Sequence, residues 1–311
     1  MQQDECLPQR IDTLMGSRSN RRATPAKRIL PLLLVLSGFP QIAQAKETLL
    51  WLLRDLPPTT IFEGPQKDQG VVDQLLPALF ANLPEYQHTV VHVNRARGIQ
   101  MLRDAPFACD PSLMLTPQRA QWVAFSKISF RAFSNGVAAL RQDHASLRTF
   151  IQDGRLDLAA LLASGPRSVG IVAERSYGDQ IDSLLANAPS DALTAHYGNN
   201  AIGNLLQMQR RGRLKTLIGY QPEIRFQAQQ QGIDPSGLEF YPIIGVQKYQ
   251  AVHVGCSNTA QGRHAIERIN QTLLQLRQNR LIELYAAWLE PPIREEYRKD
   301  ALALFREHPE Q

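Results

Sequence analysis

Short apolar runs alternate with longer stretches of helical spacing along residues 46–311. The runs are typical of buried strands, at residues 48–53, 89–93, 137–140, 168–172, 214–218 and 250–254. Between them, apolar residues recur every three or four positions, which predicts helices at residues 71–81, 95–103, 181–185, 201–211 and 265–289. Strands that alternate with helices predict an α/β chain with mostly parallel sheets, and in such sheets ligands bind at the carboxyl ends of the strands.

The N-terminal segment has a different pattern. Basic residues at 18–28 lead into an apolar stretch at 29–36, and the small-residue motif Ala-Gln-Ala follows at 43–45. These are the three parts of a secretory signal peptide. The apolar stretch is shorter than the roughly 20 residues that a membrane span requires. We therefore predict that residues 1–45 are a signal peptide cleaved after Ala45, and that the mature protein is periplasmic.

Composition excludes several classes of protein. The 311 residues are 43% hydrophobic and 20% charged, which is too apolar for a disordered chain. Of the 34 basic and 29 acidic side chains, residues 1–45 hold six and three, so residues 46–311 carry 28 and 26. This near balance gives no reason to expect nucleic-acid binding. The length of the signal peptide leaves open whether translation begins at Met1 or at Met15.

The sequence contains few residues arranged for catalysis or metal binding. Cys109 and Cys256 are the cysteines that remain after signal cleavage, and an exported pair is more often a disulfide than a metal site or a nucleophile. Two buried free thiols are the alternative.

The seven histidines lack metal-ligand spacing, and His92 and His253 lie in strand patterns, where partly buried structural histidines are expected. No hydrolase, zinc-protease, redox or phosphate-loop motif occurs. We therefore expect no enzyme, no metal and no cofactor.

An ordered set of motifs gives a more specific indication. Leu115-Thr-Pro-Gln-Arg119 is followed by Val123-Ala-Phe-Ser126, and further landmarks follow at 168–172, 212–218 and 284–288. This order resembles the extracellular solute-binding protein family 3, the two-lobed periplasmic components of amino-acid-type transporters. The resemblance covers about residues 47–290.

The resemblance implies an architecture. Two α/β lobes, each a mostly parallel sheet flanked by helices, are joined by two hinge strands and hold one solute between them. Carried onto this chain, lobe 1 is residues 46–137 and 246–311, and lobe 2 is residues 138–245. Cys109 and Cys256 then fall on neighbouring strands of lobe 1, which favours the disulfide. The resemblance also implies a monomer.

The resemblance assigns the central ligand contact to Arg119, which matches the residue that grips the solute carboxylate. A guanidinium offers paired donors in the geometry of a carboxylate. Two positions depart from the family pattern. Met114 replaces a hydroxyl, and Tyr220 replaces the acidic residue that holds an ammonium group. A phenol is uncharged at pH 7, so an ordinary amino acid is disfavoured unless Glu223 takes that role.

The other cleft candidates are mostly donors. They are Arg54 and Arg175, the hydroxyl residues Ser112, Ser176 and Tyr177, and the aromatic residue Phe62. We expect the helix that follows strand 168–172 to begin at Arg175 and Ser176, where free backbone N–H groups favour an anion. Together these residues predict a small anionic or carboxylate-bearing solute.

Two roles are compatible with such a protein. The protein delivers its solute to an ABC-type permease, or it reports the solute to a membrane sensor. Both roles need a cleft that closes around a ligand, and the genes beside this one would separate them. A periplasmic dehydratase on the same fold is a more remote alternative.

Overall fold

The computed structural model describes residues 45–198, 200–277 and 280–307. Residues 1–44, with nearly all of the predicted signal peptide, lie outside this part of the chain. The strands are β1 Thr48–Leu53, β2 Gln87–His92, β3 Ala108–Leu113, β4 Val123–Phe133, β5 Gly136–Leu140, β6 Ile151–Gln152, β7 Arg155–Leu156, β8 Val169–Val172, β9 Leu193–His196, β10 Thr216–Gly219, β11 Leu238–Tyr241 and β12 Tyr249–Ser257. The helices are α1 Val71–Ala81, α2 Arg95–Asp104, α3 Pro117–Ala120, α4 His144–Leu147, α5 Leu158–Ala163, α6 Asp179–Ala186, α7 Ala201–Arg210, α8 Gln221–Gln230, α9 Ala260–Leu276, α10 Arg280–Ala286 and α11 Pro291–Glu307.

Two five-stranded sheets organise the chain. The first has the order β2-β1-β3-β12-β4, and the second has the order β11-β5-β10-β8-β9. The first sheet therefore combines strands from both ends of the described chain, whereas the second is built from the middle. We call the first sheet with its helices lobe 1 and the second lobe 2. This arrangement is a two-lobed α/β fold.

Both sheets are mixed, with more antiparallel pairing than the sequence pattern predicted. In the first sheet β1 pairs in parallel with β2 and β3, but β12 runs antiparallel to β3 and β4. In the second sheet β8 pairs in parallel with β9 and β10, but β5 runs antiparallel to β10 and β11. The antiparallel strands are those next to the passages between the lobes, where the chain leaves one sheet and returns without a crossover helix.

The segment after β1 is fixed by close contacts with the start of α1. The backbone N–H groups of Val71 and Val72 donate to the carbonyls of Pro58 and Thr59, at 3.1 and 2.8 Å. A Cβ on Gly70 would lie 2.5 Å from the Thr59 carbonyl oxygen, so only glycine fits there. The Asp73 carboxylate accepts the backbone N–H of Gly70 at 3.0 Å. These contacts hold the Pro57–Thr60 segment beside the end of β1.

The core of lobe 1 depends on aromatic residues from both ends of the chain. Trp51 of β1 is fully buried, and its indole N–H donates to His88 Nδ1 at 3.0 Å. From the C-terminal helices, the hydroxyl of Tyr285 accepts the N–H of Phe133 at 3.0 Å, and the hydroxyl of Tyr297 donates to the Arg131 carbonyl at 2.8 Å. Helices α10 and α11 thus pack on β4 close to the passage into lobe 2.

The structure pairs Cys109 with Cys256 in a disulfide, as predicted. The two residues face each other across the antiparallel pair β3–β12, and both are fully buried. The bond joins the two parts of the chain that form lobe 1. No helix in the described residues is long and apolar enough to cross a membrane.

Thiol labelling of the purified protein, unfolded without reductant, should therefore find neither Cys109 nor Cys256 free. The Cys109→Ser/Cys256→Ser double variant should lose about 2–4 kcal/mol of unfolding free energy in urea, because a long chain segment is no longer closed in the unfolded state. Wild-type protein in reductant should match the variant. Labelling of both thiols would contradict the bond.

His253 of β12 is buried, and its Nδ1 lies 2.8 Å from the Ser126 carbonyl oxygen. Burial lowers the pKa of the ring below its ordinary value of 6.5, and the nearby Arg131 lowers it further. The prediction of a structural histidine is confirmed here. His92 differs, because it is exposed and stacks on Phe62 with ring centroids 3.8 Å apart.

This shift predicts a pH-dependent stability. The unfolded chain binds a proton at His253 more readily than the folded protein, so this contribution is present above about pH 6.5 and is lost as the pH falls below it. Melting temperatures between pH 7.5 and pH 5 should fall less for His253→Gln than for wild type. His264→Gln, at an exposed position on α9, is the control and should follow wild type. Equal slopes for His253→Gln and wild type would rule out this effect.

Candidate functional site

A cavity of about 650 Å³ lies between the lobes. Lobe 1 lines it with the segment after β1, the start of α2, the end of β3, α3 and residues of β4, β12 and α10. Lobe 2 lines it with the loop after β8 and the start of α8. Four arginines reach this cavity, namely Arg54, Arg95, Arg119 and Arg175, whereas the one acidic side chain among its lining residues is Glu223. The balance of charge in the wall is therefore strongly positive.

Arg54, directly after β1, is neutralised within lobe 1. Its Nη2 lies 3.1 Å from a carboxylate oxygen of Asp110 and donates to the Ser112 carbonyl at 2.6 Å. Asp110 also accepts the backbone N–H of Ser112 at 2.9 Å. Arg54 and Asp110 are both buried, so their charges compensate each other in the wall. Arg54 therefore helps to shape the cavity and contributes little net charge.

Arg175 and Glu223 form a bidentate ion pair within lobe 2. Arg175 Nη1 donates to Glu223 Oε2 at 2.8 Å, and Nη2 donates to Oε1 at 2.7 Å. Their side chains are only 4% and 6% exposed. Burial alone lowers the pKa of Arg175, but the charge and hydrogen bonds of Glu223 outweigh it and raise that pKa above its ordinary value. Both oxygens of the cavity's carboxylate are therefore occupied.

Arg119 keeps most of its donors available. Its helix α3 begins with the Thr116 side chain, which accepts the backbone N–H of Arg119, and Pro117 starts the helix. Arg119 Nη1 donates to the Met114 carbonyl at 3.1 Å. Burial lowers the pKa of Arg119, and the neighbouring Arg54 lowers it further. Because a guanidinium stays charged at neutral pH, Arg119 offers a positive group to the cavity.

Arg95, the first residue of α2, has no hydrogen bond or ion pair within the described ranges 45–198, 200–277 and 280–307. Burial lowers its pKa well below the ordinary value, and Arg54 and Arg175 lower it further. Sequence reasoning missed this residue. Its position directly after β2, at the carboxyl end of a parallel strand, was the indication that could have found it.

The loop after β8 differs from its prediction. Helix α6 begins at Asp179, preceded by Gly178 with φ of 99°, so Arg175 and Ser176 are not at a helix start. The backbone N–H of Tyr177 donates to Asp182 Oδ1 at 2.7 Å, and the Ser176 hydroxyl donates to Oδ2 at 2.5 Å. A carboxylate of the chain itself therefore takes the donors that we predicted for a solute.

A small polar network joins the lobes at the hinge. The Gln250 side chain, at the start of β12, donates to the Tyr177 carbonyl at 2.7 Å. Its Oε1 accepts from Asn135 at 3.1 Å and lies 3.1 Å from the hydroxyl of Tyr220. That hydroxyl is also 3.7 Å from Met114 Sδ, and burial raises the pKa of the phenol. Tyr220 thus contacts lobe 1 as an uncharged group.

Most of the residues that the sequence nominated do lie together. The cavity is lined by Arg54, Ser112, Met114, Arg119, Arg175, Ser176 and Tyr220. Two others do not line it. Phe62 packs against the lobe 1 core and stacks on His92, and Tyr177 is buried behind the wall, where its hydroxyl accepts the N–H of Val172 at 2.7 Å. The contacts that hold Phe62 and Tyr177 in these positions cannot be identified from the sequence alone.

A second cavity of about 770 Å³ adjoins the first. The two share part of their lining, including Arg54, Arg95, Arg175 and Glu223. Within the described part of the chain, no group of three or more His, Cys, Asp or Glu side chains is arranged to hold a metal ion.

The chain is similar to known proteins at the level of structure. No family model matches the sequence, and no curated protein matches it. A structure from work on glutathione import in Gram-positive bacteria via GshT and the cystine ABC importer TcyBC of Streptococcus mutans is similar, with a TM-score of 0.60 and 13% identity. The match covers 78% of this chain and 95% of that one.

Two further structures are informative. A histidine kinase sensor domain with similarity to periplasmic binding proteins matches with a TM-score of 0.59 and 14% identity, over 79% of this chain and 96% of that one. The ancestral amino-acid-binding protein AncCDT-1, a precursor of cyclohexadienyl dehydratase, matches with a TM-score of 0.58 and 16% identity, over 78% and 96%. Identities this low establish the architecture alone, so the chain has the two-lobed fold of the periplasmic binding proteins.

Proposed function

We propose that this protein is a periplasmic solute-binding protein that captures a small solute with an anionic group, most simply a carboxylate, between its lobes. Arg119 anchors that group from lobe 1. Arg175 and Ser176 complete the wall from lobe 2 when the hinge closes. The protein acts by binding, not by catalysis, which agrees with the amino-acid-binding protein among its structural neighbours.

The observation that carries this proposal is the occupation of Glu223. An amino acid needs a carboxylate to receive its ammonium group, and the cavity's one acidic lining residue already pairs with Arg175 through both oxygens. Tyr220 is uncharged at neutral pH and cannot replace it. Arg119, by contrast, has donors to spare. The cavity is therefore equipped for a negative group and not for a free ammonium.

Export and delivery complete the proposal. The signal peptide, cleaved after Ala45, would place the monomeric protein in the periplasm, where an ABC permease would receive the solute. The structural similarity to a histidine kinase sensor domain favours one alternative, in which the closed protein signals to a membrane sensor. Permease and ATPase genes beside this gene would support transport, whereas a sensor kinase gene would support signalling.

A thermal-shift screen tests the binding role. Amino acids, carboxylates, phosphate esters, peptides and polyamines would be added to the purified protein. A ligand at a hundred times its dissociation constant adds about 2.7 kcal/mol of stability, which raises the melting temperature by several degrees. We expect a carboxylate to do so, and Arg119→Gln to abolish the shift. Arg263→Gln, at an exposed position on α9, is the control and should keep it.

Two results would contradict the proposal. One is a screen in which only cationic compounds or ordinary amino acids stabilise the protein. The other is a carboxylate whose effect is unchanged in Arg119→Gln.

Glu223→Gln tests the assignment of the ion pair. The variant leaves the buried Arg175 guanidinium without its counter-charge, so we expect a loss of about 3–5 kcal/mol in urea unfolding. Because Arg175 then becomes available, the carboxylate found in the screen should bind more tightly in calorimetric titration. Glu267→Gln, at an exposed position on α9, should change neither quantity. If Glu223 instead holds a ligand ammonium group, the variant will bind its solute more weakly.

A further inference from the structure

Arg95 is the cation that the proposed binding mode leaves unexplained. It lines both cavities, yet it forms no hydrogen bond or ion pair with any part of the chain that the structure describes. Surface arginines are commonly free, but burial lowers the pKa of Arg95 well below its ordinary value, and the neighbouring Arg54 and Arg175 lower it further. A charged group in this setting is unfavourable unless a counter-charge arrives.

No acidic side chain in the described residues forms an ion pair with Arg95. Asp110 is committed to Arg54, and Glu223 is committed to Arg175 through both oxygens. Asp182, which is close enough to influence Arg119, accepts from Ser176 and Tyr177. The one acidic group that lines the first cavity is thus already occupied. Asp55 and Glu174 line the second cavity, and neither forms an ion pair with Arg95 in the described residues. The cavity therefore offers two guanidinium groups without a carboxylate, Arg95 and Arg119, on different elements of lobe 1.

The wall of the same cavity also has an apolar part. Leu113, Phe130 and Val252 contribute to its lining together with Pro57 and Leu56. Such side chains suit methylene groups and offer no partner to a further charge. Two positive groups and several apolar side chains in the lining of one cavity match a molecule with two negative groups on an aliphatic chain.

We propose that the solute is a small aliphatic dicarboxylate, with one carboxylate bound by Arg119 and the second bound by Arg95. This inference rests on the proposed anion-binding function and adds the second group and its contact residue. A guanidinium binds a carboxylate through two parallel N–H donors. Each carboxylate of the solute would therefore be held in a defined orientation, and its charge would be compensated.

Paired titrations test the proposal. Succinate, glutarate and adipate would be compared by calorimetry with butyrate, pentanoate and hexanoate, which have the same carbon numbers and one carboxylate less. We expect the best dicarboxylate to bind wild type at least about tenfold more tightly than its monocarboxylate partner. Arg95→Gln should remove that preference, because it weakens dicarboxylate binding much more than monocarboxylate binding. Arg97→Gln, an exposed neighbour on α2, is the matched control and should keep the preference.

The outcomes separate the two proposals. If neither class of carboxylate binds wild type, both the anion-binding function and the dicarboxylate inference fail. If monocarboxylates bind and depend on Arg119, but dicarboxylates bind no better, only the role of Arg95 is overturned. Dicarboxylate binding that is unchanged in Arg95→Gln also overturns it.

A second measurement distinguishes a ligand contact from a structural role. Without solute, Arg95→Gln should raise the melting temperature, because it removes a buried guanidinium that has no ion-pair partner in the described residues. With saturating dicarboxylate, the order should reverse, and wild type should melt at the higher temperature. A melting temperature of unliganded Arg95→Gln below that of wild type would show that Arg95 stabilises the fold and would overturn the inference.

Discussion

The bidentate pair between Arg175 and Glu223 determines how much net charge the wall of the cavity carries. Burying two charges is costly, and it is tolerated here because the four polar atoms satisfy one another. The pair also lies at the first turn of α8, where the helix dipole favours the carboxylate. Since the pair leaves no net charge, the character of the cavity is set by Arg95 and Arg119. Both belong to lobe 1, so the uncompensated positive charge of the cavity wall comes from lobe 1.

Lobe 1 presents these groups through ordinary features of an α/β sheet. Arg54, Arg95 and Ser112 follow or end the strands β1, β2 and β3, which are parallel and whose carboxyl ends therefore meet at one edge. Lobe 2 reaches the same place from the loop after β8 and from the start of α8. The Gln250 network then connects both lobes near the hinge. The candidate site is thus formed where the carboxyl ends of β1, β2 and β3 lie side by side, and loop residues of lobe 2 complete its wall.

Much of this could be predicted from the sequence. Strands with apolar runs, such as β1, and helices with regular spacing, such as α1, lie where the pattern placed them, because burial of one face dominates their formation. The motif at Thr116–Arg119 pointed to Arg119, and this residue does line the cavity. The sequence could not show that Asp182 would consume the donors of Ser176 and Tyr177, because that depends on a turn with a positive φ at Gly178. Nor could it show that Glu223 pairs with Arg175 across 48 positions.

The disulfide has a consequence for how the protein comes apart. Cys109 and Cys256 are separated by 147 positions, and this interval contains every strand of the second sheet. Lobe 2 is therefore an insertion whose two ends are joined covalently through lobe 1. If lobe 2 unfolds, β3 and β12 stay neighbours, and lobe 1 does not divide into separate N-terminal and C-terminal pieces. Reassembly of the protein then requires only that one closed loop of chain refold on a scaffold that is still in place.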